Sequence, residues 1–169
     1  MVTNTDDRIN LSLILHPNGW GTCYIHLGHH LHELTMSFIF GDPLTDLINT
    51  MQKLIQGENE MDLLWHDEPG GHWIQINRQK DKKHLLIVQI AEFAESYEEE
   101  IKEFKTVCQF EIKEKLLLTH IYFELKKIKQ LLTDKHYANN RQEDFPFQRF
   151  DQFEKEVLNY FEVNYGIKP

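Results

Sequence analysis

Cysteine is nearly missing from this chain. Cys23 and Cys108 are the only two. They lie far apart in sequence with apolar flanks, which reads as two buried thiols and a reducing compartment, not a disulfide framework. Long apolar runs are missing too: none approaches the ~18 residues a membrane-spanning helix needs. Met1–Asn10 carries Asp6 and Asp7 where a secretory leader would be basic, so the expected location is cytoplasmic. Catalytic signatures are equally scarce. Ser12, Ser37 and Ser96 have no Gly-x-Ser-x-Gly context. Gly19-Trp20-Gly21 is too short for a phosphate loop, and Gly70-Gly71 belongs to a turn. Neither cysteine has basic neighbours in sequence that would favour a thiolate. The expectation is a protein that is not an enzyme and holds no cofactor.

Positive charge is the remaining shortage. The chain has 18 Lys and Arg against 27 Asp and Glu, a net charge of −9. Residues 1–103 hold 17 acids and 7 bases, while residues 104–169 hold 10 and 11. The first part is therefore the acidic one, densest over Glu92–Glu103. An acidic surface repels nucleic acid and anionic membranes and attracts basic partners. Lys113, Lys115, Lys126, Lys127 and Lys129 give one helix a basic side, for which pairing with the protein's own acids is the simpler account.

What is present is the patterning of an α+β domain. The 169 residues suit a single domain, 1–169, with 41% hydrophobic and 27% charged residues. Residues 8–15 alternate, with Ile9, Leu11, Leu13 and Leu15 on one face. Strands over 20–27 and 31–40 follow, the second folding back at Gly28-His29. In that register Cys23, Ile25 and Leu27 share a face with Leu34, Met36 and Phe38. Asp42 and Pro43 open a helix whose stripe is Leu44, Leu47, Ile48, Met51, Leu54 and Ile55, and Gly57 closes it. Residues 60–67 and 72–79 form a hairpin about Glu68-Pro69-Gly70-Gly71. Residues 83–93 are apolar on both faces, which predicts a central strand covered twice. A charged loop or short helix over Glu95–Glu103 leads to a strand at 104–111. A helix over about 113–134 has the stripe Leu117, Ile121, Leu125, Ile128 and Leu132. A polar loop over 135–146 precedes a last helix, about 147–163, that buries Phe150, Phe153, Val157 and Phe161. The fold class expected is α+β: one antiparallel sheet of six or seven strands in two meanders, one helix inserted between them and two C-terminal helices.

Histidine is the one metal-ligand type that clusters. His26, His29, His30 and His32 surround one hairpin, and i, i+2 side chains on a strand point the same way, so His30 and His32 could share an ion. No triplet with zinc-site spacing accompanies them, and no metal is expected.

Leu31–Glu33, Gly41-Asp42-Pro43-Leu44-Thr45-Asp46-Leu47, Trp65-His66-Asp67-Glu68-Pro69-Gly70-Gly71 and Phe145-Pro146 together resemble a widespread group of uncharacterised bacterial small α+β proteins. The resemblance covers most of the chain and rests on helix caps and turns, so it implies a fold and no activity. In size, acidity and lack of catalytic residues the chain is also similar to bacterial toxin-immunity proteins. That similarity implies a protein-binding module that neutralises a cognate toxin, with a basic partner such as a nuclease toxin and neither nucleic acid nor membrane as ligand. The alternatives are a structural or regulatory partner-binding protein, which could be a homodimer, and a metalloprotein using the His26–His32 hairpin. The partner-binding residues expected are Asp62, Asp67, Glu68, Glu95, Glu98, Glu99 and Glu100, with Trp73 as apolar anchor, because rim charges alone rarely hold a complex.

Overall fold

The computed structural model describes residues 3–4, 8–94, 101 and 103–167. Its elements run β1 (Thr3–Asn4), β2 (Ile9–His16), β3 (Trp20–Leu27), β4 (His30–Ser37), α1 (Pro43–Ile55), β5 (Glu60–His66), β6 (Gly71–Arg78), β7 (Leu85–Phe93), β8 (Lys105–Lys113), α2 (Glu114–Leu131), α3 (Lys135–Ala138) and α4 (Phe147–Tyr165). The α+β class and the two antiparallel meanders match expectation. The single sheet does not. β2-β3-β4 form one three-stranded sheet, and β5 to β8 form a second, extended at its far edge by β1 parallel to β8. Between the meanders the chain spends thirteen residues in α1, and β4 does not pair with β5. Alternation fixes which face of a strand is buried; it carries no information about which edges meet.

The two sheets bury their apolar faces in one core. Leu11, Cys23, Ile25 and Leu34 from the first sheet surround the same small void, of about 40 Å3, as Leu63, Trp65, Ile74, Ile76, Val88, Ile90 and Phe110 from the second. α1 adds Leu47 and Met51 to its lining, and α2 adds Leu117 and Ile121. Each large side chain buried this way contributes on the order of 1.5–3 kcal/mol.

α1 starts as its sequence dictates. The Asp42 carboxylate accepts from the Thr45 N–H at 2.9 Å and from the Thr45 hydroxyl at 2.6 Å, and Pro43 opens the first turn. α4 buries the expected Phe150, Phe153, Val157 and Phe161. The stretch 135–146 is not simply a polar loop. Asp134 caps α3 through the N–H groups of His136 and Tyr137, and Gln142–Asp144 make a 3-10 turn.

Two joints tie the elements together. At one, Arg78 at the end of β6 donates to the Leu54 carbonyl at the end of α1, to the Glu58 and Lys83 carbonyls, and to both carboxylate oxygens of Glu114 at the start of α2. Its side chain is 8% exposed and that of Glu114 7%, so this forked pair is buried and fully bonded, as a buried ion pair must be. The other joint lies along β2. Its outward-facing backbone receives Glu124 of α2 at the Leu13 N–H, 2.7 Å away. Arg141 Nε donates to the Leu15 carbonyl at 2.9 Å. The His120 ring bonds the Ile9 backbone.

Candidate protein-interaction surface

The turn between β5 and β6 is built for close approach. Gly70 has φ of 87°, and a Cβ on it would lie 2.2 Å from the Phe93 carbonyl oxygen. A Cβ on Gly71 would meet the Trp65 carbonyl oxygen at 2.2 Å and the Phe93 ring at 2.6 Å. The Phe93 ring thus fills the space where a Gly71 side chain would stand. Gly71 and Phe93 are also directly paired across β6 and β7.

From this turn the outer face of the second sheet spreads away from the core. β7 is central, between β6 and β8, but its second face is only partly covered. Leu85, Ala91 and Phe93 are buried there, while Ile87 and Gln89 are half-exposed. Phe93 on that face packs on aromatic neighbours. Trp73 lies with its ring centroid 4.8 Å from that of Phe104, and Phe104 lies 6.1 Å from Phe93. Phe93 meets His66 at 5.8 Å, and His66 meets Phe40 at 5.6 Å. Phe104 is 43% and Phe40 58% exposed. Trp73 does face away from Trp65 and Ile74, as its register predicts. Its ring partner is Phe104.

Some of the predicted acids join this face. Asp62 is exposed, and one of its carboxylate oxygens accepts from Trp73 Nε1 at 3.3 Å. Asp67 lines a depression of about 390 Å3 with Pro69, His72, Glu92, Glu103 and Phe104. Glu68 is exposed at the turn, its N–H held by the Asp67 carboxylate at 2.7 Å. Glu92 pairs with Lys105 at 3.0 Å. Glu95, Glu98, Glu99 and Glu100 lie outside the described residues. Phe104, Phe93, His66 and Phe40 were not legible as site residues, because their assembly depends on the pairing of β5 to β8 and no local spacing encodes it.

His72 also lines the depression. Burial lowers its pKa, against the opposing pull of Asp67, Glu92 and a hydrogen bond to the Thr35 backbone, and its Nδ1 is buried without a partner. The histidine hairpin is more open. His30 and His32 pair with Leu27 and Ile25 and share a face, whereas His26 pairs with Leu31 on the opposite one. Burial, and then the neighbouring His30, lower the pKa of His32. Among the described residues no three His, Cys, Asp or Glu side chains gather in a metal-binding arrangement, and no helix is long and apolar enough to cross a membrane. Both cysteines are free: Cys23 is buried, and Cys108 is only half-buried. Burial pushes the Cys23 thiol up to about 12, helped by Glu124, and the Cys108 thiol up to about 11. Both are therefore poor nucleophiles at neutral pH.

Compared with family models, with curated proteins and with solved structures, the chain matches none.

Proposed function

We propose that the chain is a protein-binding module, an immunity-type neutraliser of a cognate bacterial toxin, and that its contact surface is the outer face of the β5–β8 sheet. The observation that carries this reading is Trp73. Its ring rests on Phe104, its indole N–H is held by Asp62, and it stands half-exposed on an open sheet face. A fixed aromatic with carboxylates around it is what an interface anchor for a basic partner requires. Asp67, Glu68 and Glu103 supply rim charge that steers encounter, and such steering is screened over about 8 Å at physiological ionic strength.

The test takes a basic toxin-like protein encoded immediately upstream and measures its association by stopped flow across a salt series. Trp73→Ala is expected to raise Kd at least about 30-fold, the effect of a 2 kcal/mol hot spot. Asp62→Lys together with Glu103→Lys is expected to slow association and flatten its salt dependence. Reversal of Glu98, Glu99 and Glu100 to Lys reports whether that run takes part. Wild-type binding by both the Trp73 and the Asp62/Glu103 variants removes this face from the interface.

A further inference from the structure

β5 is an edge strand. Its partner is β6, and among the described residues no strand pairs with its other side. The hydrogen bonds at the ends of the hairpin fix which groups point where. Asp67 N–H donates to the Gly70 carbonyl, and Arg78 N–H to the Asn59 carbonyl. In an antiparallel pair the bonded residues alternate, so Met61, Leu63 and Trp65 bond to β6. Asp62, Leu64 and His66 turn their N–H and C=O groups outward. These groups open into a groove of about 600 Å3 between β5 and α1. One wall is the β5 backbone from Asp62 to His66. The other is the polar flank of α1, with Asp46, Asn49 and Lys53, and Phe40 stands at one end.

Three carboxylates, Asp42, Asp46 and Asp62, line the groove against one lysine, Lys53. Asp42 is occupied in capping α1. Asp46 and Asp62 line the groove, and no cation of the described residues pairs with either. Partial desolvation and the nearby Asp42 both raise the Asp46 pKa, which is the situation of a carboxylate that lacks a positive partner. An open strand edge beside a helix is a template for strand addition: main-chain bonds give affinity, and alternate side chains give selectivity.

We propose that this groove binds an extended protein segment carrying Lys or Arg, which adds to β5 as a further strand through Asp62, Leu64 and His66 and sets its basic side chains against Asp46 and Asp62. The surface adjoins the Trp73 face and shares Asp62, His66 and Phe40 with it, but the strand edge and the Asp46 wall take no part in that face, so the inference goes beyond the function proposed above.

The test uses the whole chain, 15N-labelled, and a defined probe, the acetylated and amidated hexapeptide Lys-Val-Lys-Val-Lys-Val. Saturable binding is expected with Kd at or below about 1 mM. The amide signals of Asp62, Leu64 and His66 should shift and exchange more slowly, and the Trp73 indole N–H, which donates to Asp62, should shift with them, while the amides of Ile87 and Gln89 on the outer sheet face stay in place. The Glu-Val-Glu-Val-Glu-Val counterpart should bind at least about tenfold more weakly, as should the probe to Asp46→Asn/Asp62→Asn protein, a loss of about 1.4 kcal/mol. Leu64→Pro removes only an outward N–H from the ladder and should abolish binding that Leu64→Ala retains. No saturation by 1 mM, shifts confined to β7 and Phe104, or equal binding of the acidic peptide would each overturn the proposal. So would a concentration-dependent dimer that protects the same three amides without probe, since it would assign the edge to a second copy of this chain. Toxin binding through Trp73 is read separately, by Trp73→Ala, which leaves the strand edge and Asp46 in place.

Discussion

Two edge strands of this molecule meet opposite fates. β2 ends the three-stranded sheet and β5 ends the other. Each exposes a row of outward backbone groups. On β2 that row is met by side chains from the C-terminal half: Glu124 on Leu13 N–H, Arg141 and Tyr137 on the Leu15 carbonyl, and His120 on Ile9. On β5 the row faces a groove. Edges invite pairing with other chains, and proteins blunt them where pairing is unwanted. One edge here is closed by charged and aromatic side chains drawn from more than a hundred residues away, and the other is left open beside the polar flank of a helix.

Proline separates the two most sharply. Leu13→Pro deletes an N–H that Glu124 uses and a leucine that is 1% exposed. It is expected to cost about 4 kcal/mol or more by denaturant titration, combining a core truncation with a stranded carboxylate. Glu124→Ala removes the plug alone. It leaves Leu13 N–H without its acceptor and Lys127 without its ion pair, and should cost about 1–3 kcal/mol. Glu124→Gln keeps an acceptor oxygen and should recover part of that loss.

A smaller effect appears with pH. Burial lowers the His120 pKa below its ordinary value, and its Nε2 has no partner. The unfolded chain therefore takes up this proton first. The stability that His120 contributes is complete above its unfolded pKa of about 6.5 and is lost as pH falls below that value. Chemical denaturation at pH 7 and pH 5 should show this loss reduced in His120→Gln. The smallest change is expected at the open edge. Leu64→Pro removes an N–H that bonds nothing on β6 and should cost about 1 kcal/mol or less, because proline is tolerated where a strand faces solvent. A cost comparable to Leu13→Pro would mean that the β5 edge is not free.

The sequence reveals each strand and helix where one-dimensional periodicity encodes it. The Ile9–Leu15 alternation, the Asp42-Pro43 helix start and the Phe150–Phe161 stripe all lie in the structure where their spacing puts them. The partition into two sheets was not legible, because no local pattern states that β4 and β5 stay unpaired. Of the site, the orientation of Trp73 was readable from its register. Phe104 beside it was not, since the two residues meet only through the chain of pairings from β6 to β7 to β8. Glu124 illustrates the same limit. In sequence it is one more charge on an amphipathic helix, and its role depends on where α2 crosses β2.

The Arg78 joint also bears on how the molecule comes apart. One guanidinium holds the end of α1, the loops at Glu58 and Lys83, and the start of α2. Opening α1 or either loop strips a hydrogen bond from a buried guanidinium, and separating β6 from α2 breaks its ion pair. Native-state hydrogen exchange should therefore find no separate foldon for α1 or for the β6–β7 hairpin: their slowest amides exchange only through global unfolding. Arg78→Ala would cut that link and let the two segments open independently, at free energies below that of the whole.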